Sequence, residues 1–91
     1  MKSVVVYTRS APRCAFCVQA KALLAVENIP FTERDTVGMS DEARAEFLDL
    51  IGRPEHVTVP QVFIGGRHVG GFSALKKLYD DGALHPMVAG E

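Results

Sequence analysis

Cysteine is scarce in this chain: there are two, Cys14 and Cys17, three positions apart. Two thiols so close together cannot form the framework that staples a small secreted domain, so that class is excluded. With no secretory signal ahead of the pair, a reducing, cytoplasmic setting is expected. Charge of one sign is also missing, with 10 Lys+Arg against 11 Asp+Glu. No broad basic field exists to attract nucleic acid or an anionic membrane, and the expected partner is a small molecule or another protein surface. Long apolar runs are lacking too. Met1 to Tyr7 carries one cation and a hydrophobic stretch too short for a signal-peptide core or a membrane span, and Val4 to Tyr7 reads instead as a buried strand.

What is present suits one small domain spanning residues 1–91. Hydrophobic residues make up 47% of the chain, enough for a modest core if helices cover a sheet. Lys2 to Tyr7 is β-branched and uninterrupted, as in a strand covered on both faces, and Thr8 to Arg13, with Ser10 and Pro12, ends it. Cys17 to Asn28 reads as the first helix, with Val18, Ala22, Ala25 and Val26 at helical spacing as its apolar face. Phe31 to Asp35 alternates weakly, which makes a right-handed β-α-β unit with a charged edge strand the economical arrangement.

Ser40 can cap a second helix, Asp41 and Glu42 complement its dipole, and Ala43, Phe47, Leu50 and Ile51 mark its buried stripe. Gly52 and Pro54 close it. Val59 to Ile64 and His68-Val69 flank Gly65-Gly66, a two-glycine turn suited to a tight hairpin, with Arg67 shortening the second strand. A last helix over Ser73 to Tyr79 offers Ala74, Leu75, Leu78 and Tyr79 as its apolar face and stops at Asp80-Asp81-Gly82. The order β-α-β-α-β-β-α is that of an α/β protein, without linker, repeat or low-complexity tract.

The chemistry centres on Cys14-Ala15-Phe16-Cys17, just after a strand and at the opening of a helix. Free N–H groups and the helix dipole stabilise a thiolate at the first cysteine, and the second lies one turn on, within disulfide reach. Cys14, with Arg13 beside it, is the expected nucleophile, and Cys17, inside the helix, the resolving thiol. The other use of such a pair is half a zinc site completed by two of His56, His68 and His85, but their spacings match no common finger pattern, and no metal is assigned. Pro60 heads a strand, where proline is often cis, and it would leave the Val59 N–H and C=O unpaired by the sheet. Those groups can receive an extended peptide over Cys14; alternatively Pro60 is an ordinary strand-starting proline. Gly70-Gly71-Phe72-Ser73 precedes a helix, so its N–H groups either hold a carboxylate or simply make a turn.

Taken together, Tyr7-Thr8, Cys14 to Cys17, Thr58 to Gly66 and Val69-Gly70-Gly71 resemble the glutaredoxin family over nearly the whole chain. The resemblance implies a thioredoxin fold with a four-stranded mixed sheet, a cis bond at Val59-Pro60, and glutathione lying across these loops as reductant. It implies that Thr58, Val59 and Pro60 border the ligand, with Val59 pairing with the glutathione cysteine, and that Gly71, Phe72 and Ser73 face the γ-glutamyl carboxylate. Arg9 after the first strand and Arg44 on the second helix match the family's cations for the glycyl carboxylate, although both are also ordinary surface arginines. A guanidinium grips a carboxylate through two parallel hydrogen bonds.

The implied activity is glutathione-dependent reduction of protein disulfides and of glutathione mixed disulfides. Two alternatives come with the resemblance: an electron donor to ribonucleotide reductase served by thioredoxin reductase, and a [2Fe–2S] carrier in which Cys14 from two chains and two glutathiones hold the cluster. Carriers tend to lack the motif proline, and Ala15 lacks it here. A monomer is expected unless a cluster is bound. The chain also departs from the usual pattern. Phe16 keeps an aromatic face but has no hydroxyl, and Ala74 stands where many relatives carry an acid. The segments before Cys14 and from Gly52 to Val57 look extended, which makes Arg13 a rival to Arg9.

Overall fold

The computed structural model describes residues 1–90. Its elements are β1 (Val4–Thr8), α1 (Ala15–Val26), β2 (Thr32–Asp35), α2 (Asp41–Leu50), β3 (Gln61–Ile64), β4 (Arg67–Gly70), α3 (Phe72–Asp80) and α4 (Leu84–Ala89). The strands form one mixed sheet in the order β2-β1-β3-β4. β1 runs parallel to β2 and antiparallel to β3, and β3 is antiparallel to β4. This is the thioredoxin-like α/β architecture, with the charged strand β2 at one edge. Among the described residues no helix is long and apolar enough to cross a membrane.

β1 is apolar from Val4 to Tyr7 because both faces of the sheet are covered. Val4 and Val6, with Val62 and Ile64 of β3, point to one side and pack under Ala20 and Leu24 of α1, Leu75 of α3, and Leu84 and Val88 of α4. Tyr7 and Phe63 point to the other side and meet Phe47 of α2. The ring centroids of Tyr7 lie 4.6 Å from Phe47 and 5.6 Å from Phe63, the latter edge to face. The Tyr7↔Gln61 and Val5↔Phe63 register carries this alternation across the sheet.

Four expectations about the helices are corrected by the packing. α1 begins at Ala15, and it buries Cys17, Ala20 and Leu24 instead of the stripe from Val18 to Val26. Val18 is 44% exposed and Val26 75%. The helix carries two apolar stripes at helical spacing; the one with the leucines removes more area from water, and Ala20 lets the backbone approach the sheet closely. On α2 the Ser40 side chain accepts a hydrogen bond from the Ala43 N–H, as expected of a cap. Its buried side is Phe47 flanked by Leu48 and Ile51, while Leu50 is 44% exposed. Leu50 lies on the far side of Phe47 from that pair, at helical angles that point it outward.

On α3, Leu75 is buried and Leu78 packs partly against the core, but Tyr79 is exposed. The fourth correction is α4, which follows the expected stop at Gly82. Its Pro86 sits in the first turn, where a missing N–H removes no helical bond. The Lys2 N–H donates to the Val88 carbonyl at 2.7 Å, tying this helix to the start of the chain. In the hairpin, Gly65 and Gly66 have φ of 59° and 81°, the left-handed values a two-residue turn needs. Arg67 pairs with Ile64, so β4 is longer than expected, and a register shift opposite Val62/Phe63 leaves Val69 unpaired.

Phe47→Ala should cost about 3 to 5 kcal/mol in urea unfolding, since it empties the centre of the second cluster. Leu50→Ala should stay within about 0.5 kcal/mol. Equal costs would show that the buried side of α2 has been misassigned.

Candidate active site

The site is built on the start of α1. Cys14 is the N-cap in extended conformation, and the Cys17 N–H donates to Cys14 Sγ at 3.1 Å. An N-cap side chain ordinarily offers oxygen to that N–H; here sulfur does. The two cysteines are joined as a disulfide, with Cα atoms 5.2 Å apart. Both are buried residues. The N–H contact and the positive end of the helix fall on Cys14, whereas Cys17 lies inside the first turn.

Opposite the cysteines runs Thr58-Val59-Pro60. The Val59-Pro60 bond is cis, and so is Ala11-Pro12. β3 begins only at Gln61, two residues later than expected, because Pro60 has no N–H for the ladder. The Val59 carbonyl oxygen lies 3.6 Å from Cys14 Sγ. A groove of about 210 Å³ opens here, lined by Phe16, Thr58, Val59, Pro60, Gly71, Phe72 and Ser73. A second hollow shares Phe16, Phe72 and Ser73 and continues along α3 past Lys76 and Lys77. The rings of Phe16 and Phe72 stack at 6.2 Å, which makes an aromatic wall between the two.

The groove floor meets the N-terminus of α3. Gly71 caps that helix without any side-chain hydrogen bond, so the first N–H groups of α3 have no intrahelical partner and can serve an anion. Gly70 has φ of 123°, where a side chain is strained, and a Cβ there would lie 3.2 Å from the Ala74 Cβ.

The arginines do not line this groove. Arg9 Nε donates to the Pro12 carbonyl at 3.0 Å and is engaged within its own loop. Arg13 and Arg44 are exposed, and neither takes part in an ion pair among the described residues. The three histidines are dispersed: His68 meets Gln61 and His85 meets Glu27. No group of three or more His, Cys, Asp or Glu side chains among the described residues could hold a metal ion.

A set of contacts from β2 to the loop before Cys14 had no signal in the sequence, where the strand's acids look like solvated edge charges. The Asp35 carboxylate accepts from the Ser10 N–H at 3.1 Å and the Val37 N–H at 2.9 Å. Thr36 donates its N–H and its hydroxyl to the Thr8 carbonyl, each at 2.8 Å. Glu33 accepts from Lys21 at 2.9 Å and from the Thr8 hydroxyl at 2.8 Å. The Lys21 and Thr8 hydrogen bonds hold the Glu33 carboxyl below its ordinary range. The Ser10 side chain first, and then the Val37 and Ser10 N–H groups, do the same for Asp35.

A disulfide that caps a helix at the end of a thioredoxin-like sheet, opposite a cis-proline segment, defines a thiol–disulfide oxidoreductase. The family described as Glutaredoxin matches residues 4–69. The chain is 40% identical over 84 residues to a Neisseria meningitidis protein named Glutaredoxin, covering 92% of this chain and 93% of that one. Among solved structures, glutaredoxin from Brucella melitensis superposes with a TM-score of 0.77 at 42% identity, covering 97% of this chain and 89% of the other. A buckwheat glutaredoxin–glutathione complex superposes at 0.80 with 30% identity, covering 97% and 77%. The chain belongs to the glutaredoxin family, and its Cys14–Cys17 pair is of the dithiol type.

Both carboxyls are held low, so what their contacts contribute is fully present above the ordinary carboxylate range of about 4 and is lost as pH falls through the depressed values. The urea midpoint of the wild type should therefore drop in that acid window. The doubly substituted Glu33→Gln, Asp35→Asn protein should show a shallower drop, and parallel curves would remove these carboxylates from the account.

Proposed function

We propose that this oxidoreductase uses glutathione as its reductant and acts on protein disulfides and on glutathione mixed disulfides. The observation that carries the proposal is the convergence of Phe16, Thr58, Val59, Pro60, Gly71, Phe72 and Ser73 on one groove beside Cys14. An extended tripeptide would lie along the Thr58–Pro60 segment and pair with the Val59 backbone, which brings its sulfur to Cys14. Its γ-glutamyl carboxylate would meet the free N–H groups of Phe72 and Ser73. Arg13 and Arg44 remain free to meet the glycyl carboxylate, a task for which Arg9, bound to the Pro12 carbonyl, is less suited. The solved glutathione complex of the buckwheat relative supports this ligand.

In the monothiol route, the Cys14 thiolate attacks the glutathione sulfur of a mixed disulfide, and the protein thiolate leaves. A second glutathione thiolate then attacks that same sulfur; glutathione disulfide leaves and the Cys14 thiolate returns. With a protein disulfide, Cys14 forms a mixed disulfide with the substrate. Cys17 loses its proton and attacks the Cys14 sulfur, the second substrate thiolate leaves, and two glutathiones reduce the Cys14–Cys17 bond. The protein-disulfide cycle moves two electrons from two glutathiones to one disulfide, whereas the mixed-disulfide cycle consumes one free glutathione, the other half of the glutathione disulfide coming from the substrate. A reducing compartment, such as the cytoplasm, is where glutathione could sustain it.

The two cysteines should differ in kind when substituted. Cys14→Ser should abolish all exchange, because a serine hydroxyl is scarcely ionised near neutral pH and is a poor nucleophile toward sulfur. Cys17→Ser should keep deglutathionylation while reduction of a protein disulfide falls at least about tenfold. Turnover of both substrate types, with glutathione plus glutathione reductase and separately with thioredoxin reductase, decides the matter. Turnover with thioredoxin reductase alone would overturn glutathione as the reductant. Retained activity in Cys14→Ser would overturn the nucleophile.

A further inference from the structure

Gln61 is a buried polar residue with no chemistry of its own, and yet its side chain makes three polar contacts. Its Nε2 donates to the Thr58 carbonyl oxygen at 2.9 Å and to the Thr58 hydroxyl oxygen at 3.2 Å. Its Oε1 lies 2.6 Å from His68 Nε2. The reverse orientation of the amide would set its oxygen against the Thr58 carbonyl, acceptor against acceptor, so His68 is the donor through Nε2–H. The His68 ring is fixed in turn by stacking on Phe63, with centroids 5.0 Å apart and planes at 28°. Phe63 belongs to the cluster with Tyr7 and Phe47. A chain of contacts therefore runs from that core, across edge strand β4, to Thr58.

The sheet itself cannot hold this segment, because β3 begins at Gln61 and Pro60 lacks an N–H. The same segment forms a wall of the groove and sets the Val59 carbonyl against Cys14 Sγ. We propose that Gln61 and His68 are positioning residues that fasten the Thr58–Pro60 wall and thereby fix the Val59 backbone for substrate. The Thr58 hydroxyl oxygen accepts from Gln61. The effect on substrate rests on the glutathione reading above; the fastening does not.

His68→Phe keeps the ring against Phe63 and removes the donor, His68→Gln restores a donor, and Gln61→Met removes the amide at similar volume. Three measurements apply to each full-length reduced protein: backbone ¹⁵N relaxation at Thr58 and Val59, steady-state kinetics with a glutathione mixed disulfide, and the rate of Cys14 alkylation. In His68→Phe and Gln61→Met the two amides should become more mobile, and the apparent KM should rise about threefold to tenfold, the scale of one lost hydrogen bond. Cys14 alkylation should change by less than the KM, because the Cys17 N–H contact at the start of α1 is untouched while only the Val59 carbonyl beside the sulfur loosens, and His68→Gln should recover both losses. Should Gln61→Met fail to fold, the two His68 variants carry the test. Unchanged relaxation overturns the fastening whether or not glutathione is the reductant. A mobile wall with the wild-type KM overturns its role toward substrate. A wild type that cannot turn over the mixed disulfide refutes the glutathione reading instead, and relaxation then decides the fastening alone.

Discussion

The first turn of α1 is closed by sulfur, with the Cys17 N–H directed at Cys14 Sγ. A helix start needs acceptors for its free N–H groups, and here the acceptor is one sulfur of the cysteine pair, so the helix cap and the disulfide share an atom. Everything else in the site is arranged around where that turn begins. β1 delivers the chain to it, the loop from Arg9 to Arg13 sets its position, and the Thr58–Pro60 segment faces it. The aromatic wall of Phe16 and Phe72 and the open N-terminus of α3 border the groove on its far side.

Burial of the sheet on both faces is what makes such a fixed helix start possible in a small chain. The larger cluster binds α1, α3 and α4 to one side of β1 and β3, and the aromatic cluster holds α2 to the other. Reactive groups therefore sit at strand ends, where the ladder stops, and backbone polar groups are open to a ligand. The irregular segments are tied by specific side chains: Asp35 to Ser10 and Val37, Thr36 to Thr8, and Gln61 to Thr58. The loop before Cys14 is held from β2, and it engages Arg9 within itself.

The cysteine pair, the cap at Ser40, the two-glycine hairpin and the order of the first seven elements were legible in the sequence. Each is set by local chemistry: thiol spacing, a hydroxyl at a helix start, positive φ at Gly65 and Gly66, and the contrast between strand and helix periods. The same locality explains why the resemblance to a family could be recognised, since its motifs are short contiguous runs. It also fixed which residues border the cis-proline segment and the start of α3, because those sit beside landmarks in the chain.

Tertiary packing decided the rest. Two apolar stripes on α1 satisfied helical spacing equally well, and only contact with the sheet selected Cys17, Ala20 and Leu24. Leu50 and Tyr79 were apolar in pattern but turned outward because their neighbours offered the larger buried face. The short α4 was hidden by Pro86, which is harmless only in a first turn. The partnership of Gln61 with His68 joins two strands, and that of Asp35 with Ser10 joins a strand to a loop 25 residues away. Contacts of this kind exist only once the sheet's register is set. The sequence by itself thus determined where the reactive sulfur stands, and the folded sheet decided what holds the walls around it, because a thiol's spacing is local and a wall's support is not.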